Sequence, residues 1–337
     1  ILTDEEASRR LYAPTCGMLD AGAHFENPEL GDTLEAIASD GEAVMREGAL
    51  ARTIAERVQS AGGHLTRADL EAYEVARRTP LAATSGDARI STNPPPAAGG
   101  VMVLMILAAL AGEPGAPALA RAIDRADRAR RGEKITGEAF SAHPHLLEAF
   151  DEIAAAEAGR GTTHVSVIDA EGNAAAATVT NGEGNGQMVG GFMLNNMLGE
   201  ADLNPRGFGK WAEGVRLASM MAPTIVERDG QMIALGSGGS NRIRSAIAAV
   251  TARLIEAMPL DQAIGAPRLH IEGGHLDFED LLEGPERERL TQLFADHLAW
   301  GEQNVYFGGV HAVARHPDGR FEAVGDPRRA GVGIVIS

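Results

Sequence analysis

At residue 162 the sequence changes abruptly from helical to strand periodicity. Thr162–Asp169 alternates polar and apolar side chains, residues 170–173 are typical of a tight turn, and a second alternating segment follows at 174–180. A hydroxyl residue at the head of an inner strand, directly after a glycine, is where a self-cleaving chain would place its nucleophile. We therefore predict a β-hairpin that starts at Thr162, and cleavage of the bond between Gly161 and Thr162.

Cleavage at this bond would give Thr162 a second chemical role. A threonine hydroxyl is a weak nucleophile that needs a base close by, and a freed α-amine has a pKa of roughly 7.7 to 8.0. Because that value is close to neutrality, the amine can serve as the general base for its own side chain. Ordinary β-propensity also explains two threonines at a strand start, so other features have to decide.

Two further segments support the nucleophile prediction. The glycine-rich run Gly236–Asn241 lies between a predicted strand and a predicted helix, where backbone N–H groups can converge on an oxygen that becomes negative in a transition state. Such a loop also suits a phosphate, but this one lacks the lysine of a P-loop and the GxGxxG spacing. In the hairpin, Thr178 and Thr180 can face Thr162 and orient it, although strand threonines need no such role.

The whole chain is predicted to form one α+β fold, with stacked antiparallel sheets between helical layers. The first half, up to about residue 160, has mostly helical spacing, with Thr66 as the N-cap of a helix that contains Asp69. The second half carries hairpin turns at Asp229-Gly230 and 317–320. The other predicted segments are helices within 28–61, a strand at 90–93, a buried helix at 101–111, an exposed charged stretch at 124–134, and helices at 243–258, 260–264 and 285–298.

Charge and residue counts disfavour several classes of partner. The formal net charge of −17 disfavours nucleic acid and anionic membranes, since both are polyanions, and the longest apolar run is too short to span a bilayer. The single cysteine, Cys16, permits no intramolecular disulfide, and the histidines lack the company of other ligands, so we expect no metal and no other cofactor. We interpret Asp277, Glu279 and Asp280 as a solvated acidic surface, and His164 as a structural residue.

The cellular compartment stays open on the sequence alone. No signal peptide is visible, and the chain begins at Ile1 without an initiator methionine, as a mature or truncated form would. A cytoplasmic protein and a periplasmic or secreted one whose signal has been removed are both compatible with this start.

A set of motifs, in a fixed order along the chain, resembles the γ-glutamyltranspeptidase family. The resemblance is carried by the segment Thr162–Asp169 and by Gly236-Ser237-x-Gly239, and it covers most of the chain. It implies an N-terminal-nucleophile hydrolase with a four-layer αββα fold that matures by self-cleavage. The other matching segments are Gly62-Gly63-x-x-Thr66-x-x-Asp69-Leu70-x-x-Tyr73, Arg78-Thr79-Pro80, Pro94-Pro95-Pro96-x-x-Gly99-Gly100, Leu194-Asn195-Asn196, Ser219-Met220-x-x-Pro223-Thr224-Ile225, Ala266-Pro267-Arg268 and Asp326-Pro327-Arg328.

The resemblance implies a role for each matching site residue. Thr162 is the expected nucleophile, hydrogen-bonded by Thr180, with the backbone N–H groups of Gly239 and Ser240 as the oxyanion hole. Cleavage after Gly161 implies subunits 1–161 and 162–337 that stay together as a heterodimer in one interlocked domain; a dimer of these heterodimers is left open. The expected substrate contacts are Ser219 to the α-carboxylate, Glu200 to the α-amine where the family usually has aspartate, and Asn181 and Asn195 nearby.

Several positions depart from the family pattern and bear on the substrate. Ala218 replaces a serine, Met197 replaces a polar substrate contact, and Ser240 stands where a second glycine is usual. No residue before Ile1 supplies the family's N-terminal segment with its carboxylate-binding arginine, so we expect the chain to be truncated or that part to be absent.

The resemblance implies γ-glutamyl transfer, or hydrolysis of γ-glutamyl amides such as glutathione, by a self-cleaving threonine enzyme. The departures keep two alternatives open. One is a related acylase or amidohydrolase that acts on another small amide, similar to a cephalosporin acylase or an oxamate amidohydrolase. The other is a truncated relative that performs no catalysis.

Overall fold

The computed structural model describes residues 1–15, 17–110, 112–131, 145–146, 162–182, 184–199, 208–210 and 213–336. The predictions for Cys16, Gly161 and Glu200 therefore lie outside the described residues. In chain order the helices are α1 (Glu6–Tyr12), α2 (Pro28–Asp40), α3 (Ala43–Arg46), α4 (Ala49–Ser60), α5 (Arg67–Ala72), α6 (Ala98–Leu110), α7 (Ala116–Arg130), α8 (Arg242–Ile255), α9 (Leu260–Gly265) and α10 (Gly284–Leu293). The strands are β1 (Leu81–Ser85), β2 (Ala88–Thr92), β3 (Thr162–Ile168), β4 (Ala174–Thr180), β5 (Met188–Val189), β6 (Phe192–Met193), β7 (Thr224–Arg228), β8 (Gln231–Gly238), β9 (Leu269–Glu272), β10 (His275–Glu279), β11 (His297–Trp300), β12 (Gly309–Arg315) and β13 (Phe321–Val324).

Residues 1–77 and 181–197 form the first of two compact units. It contains helices α1 to α5 and the short antiparallel pair β5–β6, around a small core of Ile54, Val189 and Leu194. The predicted N-cap of α5 is confirmed: Thr66 Oγ1 accepts a hydrogen bond from Asp69 N at 3.2 Å, and the Asp69 carboxylate accepts one from Thr66 N at 2.8 Å. This reciprocal capping box satisfies two backbone donors at the start of the helix.

Residues 78–180 and 198–337 form the second unit, which is built on an antiparallel sheet. Among the described residues this sheet has six strands in the order β1-β2-β7-β8-β12-β13. Both predicted hairpins are confirmed, because β7 pairs with β8 across Asp229-Gly230 and β12 pairs with β13. A smaller sheet, β11-β10-β9, lies in the same unit.

Helices and a separate hairpin pack against this six-stranded sheet. Helices α6 and α8 contact its strands, and α7 packs on α6. The hairpin β3–β4 contacts β8 as well. Successive side chains of a strand point to opposite faces, so Leu235 joins the core shared with the helices while Gly236 and Gly238 face the hairpin. The second unit therefore stacks helices, a sheet and a hairpin; the full four-layer arrangement stays a prediction.

The core of the second unit is centred on α6, whose residues from Ala98 to Leu107 are nearly all buried and apolar. The predicted buried helix is thus confirmed, although it begins at Ala98 rather than at residue 101. Burial of a leucine or methionine side chain contributes about 1.5 to 3 kcal/mol, so this helix is a main source of stability. Within the described part of the chain, every helix falls short of the length and apolarity that a bilayer crossing demands.

The prediction of an exposed charged stretch at 124–134 is wrong at Asp127 and Arg130, which α7 buries, and its last residues, 132–134, lie outside the described residues. Asp127 is fully buried and accepts hydrogen bonds from Arg244 Nη2 at 2.8 Å, Arg131 Nε at 3.1 Å and Gly273 N at 3.0 Å. Arg130 is buried beside Glu272, with Nη2 to Oε1 at 3.4 Å. A buried charge is tolerated only with such partners. Apart from Arg131, these partners come from segments more than a hundred residues away along the chain.

The interpretation of the acidic cluster as a solvated surface is also wrong for Asp277 and Glu279, whereas Asp280 is only half-buried and pairs with Arg287. Glu279 is fully buried and accepts hydrogen bonds from Arg328 Nε at 2.7 Å, Arg268 N at 3.0 Å and Asn304 N at 3.0 Å. Asp277 is buried as well, and it accepts from Trp300 Nε1 at 2.9 Å and from the Tyr306 hydroxyl at 2.6 Å. Both carboxylates therefore connect separate segments of the second unit through buried hydrogen bonds.

The predicted helix at 285–298 is confirmed only in its first part. Helix α10 ends at Leu293, and His297–Trp300 is strand β11. The strand forms because β10 offers a pairing edge: Leu276 lies opposite His297 and Glu279 opposite Trp300, in parallel register. A tertiary pairing partner of this kind overrides local helical spacing.

Candidate active site

Thr162 is the first residue of β3 and lies directly opposite Thr180 of β4. The antiparallel register runs without interruption from this pair to Ile168 opposite Ala174, which confirms the predicted hairpin. The side chain of Thr162 is buried, whereas that of Thr163 is exposed. The strand thus directs residue 162 inward, and Thr180 is the cross-strand neighbour of its side chain.

His164, two residues further along β3, is a buried and hydrogen-bonded structural residue, as expected. Its Nδ1 is hydrogen-bonded to Thr178 Oγ1 at 2.8 Å and its Nε2 to Ser166 Oγ at 2.7 Å. Burial, and to a smaller extent the nearby charge of His311, lower the pKa of this imidazole to about 4. His164 is therefore neutral at pH 7 and links both strands of the hairpin.

Glycines in β8 allow the hairpin to approach the six-stranded sheet closely. A Cβ at Gly236 would stand 2.3 Å from Cε1 and Nδ1 of His164, and a Cβ at Gly238 would stand 2.2 Å from the carbonyl oxygen of Thr162. Side chains at these two positions would collide with β3, so only glycine permits the contact. The glycine-rich run therefore has a packing role beside its predicted role as a loop.

The backbone turns sharply at Gly239 and Ser240, just before α8. Both residues have positive φ, +135° and +58°, and their carbonyl oxygens accept from Arg242 N and Ile243 N at 3.1 Å each. The C=O and N–H of a trans peptide point in opposite directions. Because the Ser240 N–H shares its peptide with the Gly239 carbonyl, it points away from the helix.

The Gly239 N–H is oriented by the same geometric rule. It shares its peptide with the Gly238 carbonyl, which accepts the Ser237 hydroxyl at 2.7 Å, so this N–H points away from Ser237. Successive positive-φ or turn residues form concave sites where N–H groups can meet an anion. The arrangement is suited to stabilising a negative oxygen beside Thr162.

A buried network of charged side chains anchors the helix that follows this turn. Asn241 Nδ2 donates to Glu272 Oε1 at 2.8 Å, and Arg244 Nη2 donates to Asp127 at 2.8 Å and to the carbonyl of Ile271 at 3.1 Å. Burial alone would raise the pKa of Glu272, but the nearby His270, whose Nε2 lies 3.7 Å from Oε2, and the charges of Arg244 and Arg130 outweigh burial and lower the pKa to about 2. Glu272 is therefore ionised across the physiological range.

The remaining predicted substrate contacts are distributed over both units. In the second unit Ser219 is half-buried, bridges to Ala97, and accepts from Gly99 N at 3.1 Å at the start of α6. In the first unit Asn181 and Asn195 are exposed, and Asn195 Oδ1 accepts from Met197 N at 3.1 Å. The structure thus brings Thr162 and Thr180 together with the Gly238–Ser240 turn.

Arg329 was not singled out by the sequence, although it follows the Asp326-Pro327-Arg328 motif directly. Its Cβ, Cγ and Cδ lie over Gly309, and its guanidinium lies beside Gly238 and Gly239. The preceding arginine, Arg328, is instead committed to the buried carboxylates Glu279 and Asp326. Only the fold distinguishes these two adjacent residues.

In the described ranges no group of three or more His, Cys, Asp or Glu side chains is placed to hold a metal ion.

Comparison with known proteins places these features in a family. The γ-glutamyltranspeptidase family model matches residues 1–126 and 113–336. Similar relatives are the acylase ACY 1 proenzyme of Pseudomonas sp. (strain V22), 29% identical over 95% of this chain and 63% of that protein, and the glutathione hydrolase proenzyme of Escherichia coli (strain K12), 26% identical over 97% and 64%. This chain therefore spans somewhat less than two thirds of the length of these relatives.

A solved structure supports the same assignment at the level of the fold. The crystal structure of cephalosporin acylase from Bacillus halodurans matches with a TM-score of 0.79 at 20% identity, over 98% of this chain and 66% of that one. Since the family model matches nearly every residue from 1 to 336, the chain belongs to the γ-glutamyltranspeptidase family.

Proposed function

We propose that the protein is a self-cleaving threonine hydrolase or acyltransferase that acts on γ-glutamyl amides such as glutathione. The observation that carries this proposal is the position of Thr162 at the head of β3, opposite Thr180 and against Gly238, next to the positive-φ turn at Gly239 and Ser240. A nucleophile, an orienting hydroxyl and oriented N–H donors meet there, which is the geometry that acyl transfer requires.

Maturation would proceed by an N→O acyl shift. The Thr162 hydroxyl attacks the carbonyl carbon of Gly161, the C–N bond of that peptide breaks, and the Thr162 nitrogen takes up a proton to become a free α-amine. Water then hydrolyses the resulting ester, which leaves a carboxylate on Gly161 and restores the hydroxyl. The products are the subunits 1–161 and 162–337, which we propose remain associated as a heterodimer.

The matured site would use the same groups on a substrate amide. The free α-amine of Thr162 accepts the hydroxyl proton as the oxygen attacks the substrate carbonyl, and it returns the proton to the leaving amine. The N–H groups of Gly239 and Ser240 hold the negative oxygen of the tetrahedral intermediate, a contribution typically worth 10²- to 10³-fold in rate per donor. Water or an acceptor amine then releases the acyl group from the threonyl ester.

The substrate assignment draws on four further residues. Ser219 would hold the α-carboxylate of the glutamyl group, Glu200 its α-amine, and Asn181 and Asn195 would lie beside them. The relative from Escherichia coli is named a glutathione hydrolase proenzyme, in keeping with this substrate.

A second candidate is an acylase that acts on another small amide. It is favoured by Ala218 and Met197, which replace polar side chains of the family pattern, and by the relative named acylase ACY 1 proenzyme. The chemistry at Thr162 is the same in both candidates, and only the acyl group differs.

Intact-mass analysis of the purified chain tests the maturation step. Two fragments that meet between Gly161 and Thr162 are expected for the wild type, and Thr162→Ala should leave a single chain. Thr163→Ala is the matched control, because its side chain is exposed on the opposite face of β3, and it should still cleave. A single intact wild-type chain that is also inactive would refute the proposal.

A substrate panel separates the two enzymatic candidates. The cleaved protein is assayed with a γ-glutamyl anilide beside a series of simple acyl anilides. Faster turnover of the γ-glutamyl compound supports the first candidate, and turnover of the acyl compounds alone supports the second. Thr180→Val, which removes the hydroxyl opposite Thr162 at similar volume, should lower kcat in either case, because the orientation of the nucleophile is lost.

A further inference from the structure

Arg329 lies beside Thr162, the first residue of β3. The Nε atom of its guanidinium is buried and has no hydrogen-bond partner among the described residues. Nη1 is 3.5 Å from the position of a Cβ on Gly238, and Nη2 is 3.8 Å from that on Gly239. The same position on Gly238 is 2.2 Å from the carbonyl oxygen of Thr162. The guanidinium therefore borders both the predicted nucleophile and the predicted oxyanion turn.

Arg329 differs from Arg328 and Arg268 in its ion pairing: both of those pair with Asp326, although Nε of Arg268 also lacks a hydrogen-bond partner in the described part of the chain. Nε of Arg329 is buried and makes no hydrogen bond to any described residue. Arg328 and Arg268 take up the carboxylate of Asp326 instead, together with Val310 N, which donates to it at 2.9 Å. Because a buried donor without a partner is unfavourable, the unpaired Nε of Arg329 points to a ligand oxygen.

The charges around Arg329 favour an anionic ligand. Burial, and next the charge of Arg242, lower the pKa of Arg329, whereas the charge of Asp326 acts in the opposite direction. His311 is exposed to the charges of the same group of arginines. Burial lowers its pKa, and the charges of Arg268 and Arg329 lower it as well. A planar guanidinium matches the two oxygens of a carboxylate in bidentate geometry.

We propose that Arg329 binds a carboxylate of the substrate, beside Thr162 and the Gly239–Ser240 turn. This contact is separate from the one expected at Ser219, so the substrate class narrows to amides that carry a carboxylate within reach of the reacting carbonyl. That the carboxylate belongs to a substrate rests on the function proposed above. The evidence for the anion site itself is the environment of Arg329, and it does not depend on that function.

Calorimetric titration with glutarate tests the site without any need for turnover. Glutarate is a dicarboxylate of the length of a glutamyl chain, and glutaramide is its neutral counterpart. We expect the wild type to bind glutarate and to bind glutaramide at least tenfold more weakly. Arg329→Gln, which keeps a polar side chain but is shorter and removes the charged guanidinium, should weaken glutarate binding at least tenfold.

Two further variants serve as controls, one for the loss of an arginine charge elsewhere and one for the loss of the guanidinium shape. Arg289→Gln removes an exposed arginine of α10 and should leave glutarate affinity unchanged. Arg329→Lys keeps the charge but loses the bidentate fork, so its affinity should lie between those of the wild type and Arg329→Gln. Circular dichroism spectra that match the wild type establish that the variants are folded.

The outcomes distinguish this inference from the proposed function. Absent glutarate binding in the wild type, equal affinity in Arg329→Gln, or equal binding of glutaramide would each overturn the anion site. If the chain cleaves and turns over amides but one of these results is obtained, the proposed function stands and the role of Arg329 is wrong. If glutarate binding depends on Arg329 in a chain that neither cleaves nor turns over amides, the proposed function fails and the anion site stands.

Discussion

Replacing Gly236 by alanine should destabilise the second unit strongly, because β8 has no room for a methyl group there. The new Cβ would stand 2.3 Å from Cε1 and Nδ1 of His164 and 2.8 Å from its Nε2. The buried ring cannot stay in place at such distances. It would have to leave its position between the hydroxyls of Thr178 and Ser166.

The expected cost of Gly236→Ala follows from these contacts. Overpacking of a core typically costs 1 to 3 kcal/mol, and each of the two lost hydrogen bonds about 1 kcal/mol. Alanine restricts the unfolded chain more than glycine does, which offsets about 0.5 to 1 kcal/mol. We therefore expect the free energy of unfolding to fall by about 2 to 4 kcal/mol.

Urea unfolding measures this change, in a Thr162→Ala background so that every variant unfolds as one polypeptide. Gly265→Ala is the control, because a Cβ there meets nothing within 4 Å, and it should raise the free energy of unfolding by no more than about 1 kcal/mol. A double-mutant cycle adds His164→Ala, which vacates the ring volume and should make Gly236→Ala nearly neutral. A cost below about 1 kcal/mol for Gly236→Ala, or strict additivity in the cycle, would refute the packing argument.

Three further measurements follow from the buried polar residues and the helix cap. His164 and His270 have folded pKa values of about 4, against about 6.5 in the unfolded chain, so the unfolded state binds more protons between these values and stability should fall as the pH drops from 6.5 towards 4, by on the order of 3 kcal/mol per histidine. A flat profile of unfolding free energy in that window would contradict buried neutral imidazoles. Glu279→Gln should cost about 1.5 to 3 kcal/mol in urea unfolding, since it removes the charged acceptor of Arg328 and leaves Asp326 as its remaining carboxylate, and a cost under about 1 kcal/mol would argue against the Glu279 pair. Thr66→Ala should accelerate amide exchange in the first turn of its helix by an amount equivalent to about 1 kcal/mol, and unchanged exchange would show that the cap is dispensable.

Local signals predicted the hairpins and helices well, because their causes lie within a few residues. The alternation from Thr162 onward, the turn at Asp229-Gly230 and the capping pair Thr66 and Asp69 are each confirmed. The pairing of Thr162 with Thr180 followed from hairpin register alone. The catalytic roles assigned to these residues stay predictions.

The errors arose where a distant partner decides the environment. Glu279 was interpreted as solvated because its partner Arg328 lies 49 residues further along the chain, and Asp127 because Arg244 lies 117 residues away. Charge alone does not reveal burial when the neutralising arginine is remote. The same holds for Arg329, whose proximity to Gly238 appears only once β8 and the segment after β13 have folded together.

The anchoring of α8 constrains how the site can move. The turn at Gly239 and Ser240 directly precedes α8, a helix that is buried along most of its length and tied at Arg244 to Asp127 and to the β9 carbonyl of Ile271. Segments of this kind open only with the cooperative unfolding of the surrounding structure. We therefore expect the predicted oxyanion donors of this turn to stay in place, and any motion that admits a substrate to occur in other parts of the chain.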